Sequence, residues 1–259
     1  MNSKRRIISL NVNDLGGVNN HLMNHRYFNI RDRKNHIDWK YWARHIDKKE
    51  VWDSLKKYIK DKNPDVLVLQ EMLVSSYEAK DYVGELEEMG YSYINDSLPE
   101  RGNYSITLIF FKGEHPEYLE SPGDGYRGNR SVVYKWNDLL LCGSHFPPES
   151  DEVFLDHMSG FIINNLDKNF MLIGDLNAND PNKGNKQVVN KLLDYGAVEL
   201  WTAAGNPEDT PTEIKYHGRL DYAIASPSLA KRVENIELDF FPMDSGMTDH
   251  AAVIVDILN

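Results

Sequence analysis

Short runs of apolar residues, each closed by a polar one, punctuate this chain from end to end. Ile7–Val12 is rich in β-branched residues and reads as a strand, with Asn11 and Asn13 at its end. Asp65–Gln70 (DVLVLQ) reads as a second buried strand and delivers Glu71 at its tip. Phe170–Ile173 (FMLI) reads as a strand buried on both faces; Gly174 breaks the run, and Asp175 and Asn177 emerge beyond it. Tyr91–Ile94, Tyr104–Phe111, Ser131–Trp136, Leu139–Ser144, Arg219–Ala225 and Ala251–Ile257 also read as strands. Asn137–Asp138 makes one pair of them a two-residue hairpin, and His145 follows it. Apolar positions at helical spacing predict helices over Ala43–Lys60, Ser76–Met89, Glu149–Asn165 and Lys186–Tyr195. Strands and helices are mixed throughout, with no repeat, low-complexity segment or linker. The pattern predicts one α/β domain over residues 1–259.

Composition narrows the class. The chain has 259 residues, 41% hydrophobic and 27% charged, as an ordinary globular enzyme does. Its one cysteine, Cys142, excludes an internal disulfide and most thiolate metal sites, and its apolar neighbours make it a small buried hydrophobe. No apolar stretch reaches the ~18 residues of a membrane helix. The opening MNSKRRIISLNVN reads as a first strand rather than a signal peptide. The expectation is a cytoplasmic protein with no membrane association and no evident obligate protein partner. A net charge of −11 argues against a broad basic surface for nucleic acid, yet suits carboxylates gathered around a divalent cation. The balance differs locally: His21–Glu50 mixes eight Lys and Arg with Tyr27, Phe28, Trp39, Tyr41 and Trp42. Such an insertion, around residues 14–42, suits a phosphate backbone and stacked bases; an exposed loop leading into a helix explains it equally well.

The polar residues at the strand ends carry the chemistry. Glu71, Asp175 and Asp249, with amide oxygens such as that of Asn11, form a hard oxygen set of the kind Mg²⁺ prefers. His250 beside a carboxylate such as Asp221 suits proton transfer. Metal, oriented histidine and the Asn177 amide together describe hydrolysis of a phosphoester. DLNAND at Asp175–Asp180 is not an EF-hand, because Asp180 and Lys186 stand where glycine and glutamate are required.

Taken in order, Asn11, LQE at Leu69–Glu71, SHFP at Ser144–Pro147, GDLN at Gly174–Asn177, RLDY at Arg219–Tyr222 and TDH at Thr248–His250 resemble the exonuclease–endonuclease–phosphatase superfamily. Each motif is short, but six in the family's order span the chain from first strand to last. The resemblance implies a four-layer α/β/β/α sandwich with two packed mixed β-sheets, and Mg²⁺- or Mn²⁺-dependent cleavage of a phosphoester. By position, Glu71 matches the main metal carboxylate, with Asn11 and Asp249 nearby. Asp175 matches the residue that orients or deprotonates the attacking water, and Asn177 the amide that holds the scissile phosphate. His250, paired with Asp221, matches the histidine that contacts that phosphate or transfers a proton. His145 resembles the second histidine of the deoxyribonuclease I-like branch, whose partner is a glutamate on a neighbouring strand. Here that strand, Tyr104–Phe111, contains none. Arg127 or Arg130, in the loop Pro122–Arg130, matches an arginine that reaches the substrate phosphate. The implied activity is a nuclease acting on DNA or RNA; the alternative on the same scaffold is a phosphatase or phosphodiesterase for a small-molecule or lipid phosphoester.

Overall fold

In a computed structural model, residues 4–17, 48–73, 77–92, 105–122, 130–214 and 217–259 are described. Arg127 and most of the basic–aromatic segment at 14–42 lie outside them. Two mixed six-stranded sheets form the centre. The first contains β1 (Lys4–Asn11), β2 (Val66–Leu73), β3 (Tyr91–Ser92), β4 (Ser105–Lys112), β11 (Val233–Asp239) and β12 (Ala252–Leu258), in the order β11-β12-β1-β2-β4-β3. The second contains β5 (Glu117–Leu119), β6 (Ser131–Trp136), β7 (Leu139–His145), β8 (Asn169–Asp175), β9 (Val198–Glu199) and β10 (Asp221–Ala225), in the order β5-β6-β7-β8-β10-β9.

Both sheets follow one plan. A parallel pair sits at the centre, β1 with β2 in one and β7 with β8 in the other, flanked by antiparallel strands. Parallel neighbours require a crossover, and a helix supplies each. Helix α1 (Lys48–Lys62) precedes β2; α2 (Tyr77–Glu88) follows it; α3 (Glu152–Ile163) joins β7 to β8; α4 (Gly184–Asp194) follows β8. Asp151 starts α3 by accepting the Phe154 N–H at 3.1 Å, a capping bond that explains why the helix begins three residues later than its apolar periodicity suggests. The start expected for α1 at Ala43 lies outside the described residues.

Alternation along the strands produces the layers. In β8, Met171 and Ile173 face Ile7, Val68, Tyr134 and Val255 between the sheets, while Phe170 and Leu172 face Phe154, Met158 and Leu192 of the outer helices. In β1, Ile7 joins the inter-sheet core and Ile8 packs with Trp52 and Leu55 of α1. The result is the α/β/β/α sandwich. Gly143 of β7 lets the sheets close, since a Cβ there would stand 2.7 Å from Val68 Cγ1. Three strands escaped the sequence pattern: β5 and β9 are two or three residues long, and β11 is a largely exposed edge strand with few apolar residues.

Candidate active site

Topology brings the polar strand ends together. In each parallel pair the chain runs toward the same end of the sheet, so Asn11 and Glu71 finish one pair while His145 and Asp175 finish the other. The antiparallel strands β10 and β12 begin at that end and supply Asp221 and, just before β12, Asp249 and His250. Register fixes the level: Asp175 pairs with His145 across β7–β8 and with Asp221 across β8–β10.

Local backbone distortions aim several of these groups. Glu71 lies where β2 loses register with β4, between Leu69 and Met72, and adopts φ +55°. Such a bulge turns a side chain out of the ladder, and here it points Glu71 into the cluster. Gly174 has φ +147°, and a Cβ on it would fall 1.9 Å from the Ser144 carbonyl oxygen. Only glycine allows β8 to lie against β7 at the level of the site. Asn177 has φ +48°; its N–H donates to Asp175 Oδ1 at 3.0 Å and its Nδ2 donates to the Phe146 carbonyl at 2.9 Å.

With Oδ1 so engaged, Asp175 Oδ2 is the centre of the site. Asn11 Nδ2 donates to it at 3.0 Å and to Glu71 Oε1 at 3.1 Å. His145 Nε2 lies 3.6 Å from Asp175 Oδ2 and 3.7 Å from Glu71 Oε1, and His250 Nε2 lies 3.9 Å from Asp175 Oδ2. Asp249 Oδ1 lies 4.0 Å from His250 Nε2. The Asn11 oxygen accepts from the Asn13 N–H at 2.9 Å, so this side chain turns its donors, and not its oxygen, toward the carboxylates. Thr248 Oγ1 donates to the Asn11 carbonyl at 2.7 Å, joining the loop before β12 to the end of β1.

The two histidines are held in opposite states. His250 Nδ1 lies 2.9 Å from Asp221 Oδ2. Burial alone would lower its pKa, but the carboxylates of Asp221, Asp175 and Asp249 outweigh burial and raise it well above the ordinary value. Among the described residues His145 has no carboxylate on Nδ1; Arg130 Nη1 stands there at 3.3 Å. Because a guanidinium only donates, Nδ1 accepts and the ring proton resides on Nε2. Burial, then the positive charges of Arg130 and His250, hold the His145 pKa well below its ordinary value. Burial also raises Asp249, and it pushes Asp175 up to about 8, with Asp221 and Glu71 adding to the rise and His250 opposing it.

The site therefore carries buried acidic groups that its own cations leave incompletely balanced. Glu71, His145 and Asp175 offer ligand atoms within 4.8 Å of one another, and with Asp249 close by this donor set fits a hard divalent cation. Sequence reasoning missed two supports. Thr212 Oγ1 accepts the N–H groups of Leu220 and Asp221 at 2.9 and 3.0 Å, fixing the start of β10. Asn185, on the first turn of α4, reaches back to the Asn177 loop. Neither stands at the end of an apolar run, which was the signal that found the others. Beyond Asn177 and before Asp221, the same loops line a cavity of about 530 Å³ with Asn179, Lys186, Glu208, His217, Arg219 and Tyr222.

A family comparison agrees with this architecture. The chain belongs to the Endonuclease/Exonuclease/phosphatase family, whose model matches residues 43–250. A search of curated proteins gave no match. Among solved structures, an AP endonuclease from Archaeoglobus fulgidus is similar with TM-score 0.68 and 17% identity, over 98% of this chain and 99% of that one. The 3′ phosphatase NExo from Neisseria, bound to a product DNA hairpin, matches with TM-score 0.68 and 15% identity, over 98% and 99%. The AP endonuclease LMAP from Leishmania major matches with TM-score 0.65 and 15% identity, over 99% and 88%. At these identities the likeness is one of fold, the deoxyribonuclease I-like sandwich. Family membership makes the protein a phosphoester hydrolase by class. Among the described residues no helix is long and apolar enough to cross a membrane.

Proposed function

We propose that this chain is a divalent-metal-dependent phosphodiesterase that hydrolyses nucleic acid, its 259 residues acting as one cytoplasmic domain. The observation that carries the proposal is the convergence on Asp175 Oδ2 of the Asn11 amide and two differently tuned imidazoles. Glu71 would hold Mg²⁺ or Mn²⁺, with Asn11 and Asp249 alongside. When bound, the cation neutralises phosphate charge and supports departure of the leaving oxygen.

The remaining work falls to the side chains. Asp175 orients the attacking water through Oδ2 and receives its proton. His250, kept protonated by Asp221, donates from Nε2 to a phosphate oxygen. His145, neutral and protonated on Nε2, adds a second donor, and the Asn177 amide holds the phosphate between them. Arg130, with Arg127, supplies positive charge for the substrate backbone. DNA-acting structural neighbours and the basic–aromatic segment at 14–42 favour a polynucleotide. The net charge of −11 favours a second reading, a small-molecule or lipid phosphoester.

Nicking of supercoiled plasmid, with and without Mg²⁺, by wild type and Asp175→Ala tests the proposal. Metal-dependent nicking that disappears in the variant supports it. A folded wild type that leaves plasmid and single-stranded oligonucleotides intact but cleaves phosphorylated sugars, nucleotides or lipids overturns the polynucleotide reading.

A further inference from the structure

Asn185 is completely buried, yet among the described residues its side-chain oxygen has no hydrogen-bond partner. A buried amide with one end unsatisfied is costly, so the other end must do something an apolar residue could not. That end, Nδ2, donates to the Pro147 carbonyl at 3.0 Å and to the Asn177 carbonyl at 3.3 Å. One amide thus clasps two loops, the one leaving His145 and the one leaving Asp175. They are laced further by the Phe146 N–H donating to the Asp175 carbonyl at 2.8 Å and by Asn177 Nδ2 donating to the Phe146 carbonyl.

We infer that Asn185 is a positioning residue for the reaction, acting through Asn177. Asn177 occupies a left-handed conformation at φ +48°, one that asparagine tolerates better than most residues and that the bonds around it hold here. Fixing its carbonyl from α4 holds its N–H on Asp175 Oδ1, and that bond sets the carboxylate rotamer that turns Oδ2 to Asn11, His145 and His250. Lys183, at the N-cap of α4, makes no side-chain capping bond. The Asn185 side chain, at the start of the same helix, is spent on the loops instead. The kinetic part of this inference rests on the roles proposed for Asp175 and Asn177; the conformational part rests on geometry alone.

Asn185→Leu keeps the branched shape of the side chain, at a somewhat larger volume, and removes the donor. In metal-free protein, hydrogen exchange in the peptide spanning Leu176–Asn177 is expected to quicken by about tenfold or more, with α3 and β8 protected as in wild type. Unchanged exchange at Asn177, or loss of protection spread evenly over α3, α4 and β8, overturns the inference whether or not any substrate is turned over. On plasmid DNA, kcat is expected to fall about tenfold or more in Asn185→Leu while KM stays within about twofold of wild type. A loss confined to KM, or wild-type kcat in the folded variant, overturns it too. A wild type without nuclease activity refutes the proposed function and leaves the exchange result to decide this one. If Asn185→Leu does not fold, Asn185→Ala, which removes the donor without adding volume, carries both measurements.

Discussion

Two imidazoles face the same carboxylate oxygen, and the residue behind each ring decides what it can do. Behind His250 stands Asp221, a carboxylate that favours the charged ring; behind His145 stands Arg130, a cation that opposes it. In the proposed reaction His250 is therefore the proton donor of the pair. His250→Ala is expected to reduce turnover by ~10²–10⁴, and a variant within a few-fold of wild type would place the chemistry elsewhere. Asp221→Asn should lose much of the same factor while the fold stays intact, since it removes the charge and keeps the shape. The identities of these groups were legible in the sequence because each strand-end residue borders an apolar run, closing it or opening it. Their states were not. The amide orientation of Asn11 depends on Asp175, 164 residues away, and the proton on His145 depends on an arginine from a different strand end.

Elements were legible in proportion to how deeply they are buried. β1, β2, β7 and β8 lie inside their sheets, and their apolar runs gave boundaries within a few residues; β11 lies at an edge, alternates polar with partly exposed residues, and gave no such run. Two predictions test what holds the central strands. Gly174→Ala combines a left-handed φ with a collision against the β7 backbone, and should destabilise by on the order of 3 kcal/mol, or roughly 10 °C in Tm. Wild-type Tm in that variant would mean that β7 and β8 separate more easily than their pairing indicates. Between β12 and β1, Asp256 is buried and accepts from Arg6 Nε at 2.8 Å and Nη2 at 3.1 Å, with Lys4 Nζ at 3.0 Å. Burial would raise its pKa, but Arg6 and Lys4 outweigh burial and hold it below the ordinary value. A depressed carboxyl stabilises the fold above the unfolded pKa of about 3.9 and loses that contribution as pH falls through its folded value. Asp256→Asn should thus cost about 2 kcal/mol near pH 7. The gap from wild type should narrow in denaturant titrations below about pH 4, and a gap of constant size at pH 3 contradicts the assignment.

The site belongs to neither sheet alone. Asn11, Glu71, Asp249 and His250 come from the first sheet, and His145, Asp175 and Asp221 from the second. Separating the sheets would scatter the acidic groups and relieve their repulsion, so a cation bound among them opposes separation and stabilises the native state over any partly opened one. Burial, with the neighbouring Asp221 and Glu71 charges, pushes Asp175 up to about 8, and this rise has the same origin: the carboxylate lacks a fully balancing positive charge. Adding Mg²⁺ to about one hundred times its Kd should contribute about 2.7 kcal/mol, raising Tm by roughly 5–10 °C in a chain of this size. Glu71→Gln, which removes one charge from the cluster, should raise the Tm of the metal-free protein slightly and abolish most of the Mg²⁺-induced rise. Calorimetric scans of both proteins in Mg²⁺ and in chelator check this without any substrate. Identical Tm for wild type in the two conditions would mean that no cation is held between the sheets. A rise that survives Glu71→Gln unchanged would place the cation away from Glu71.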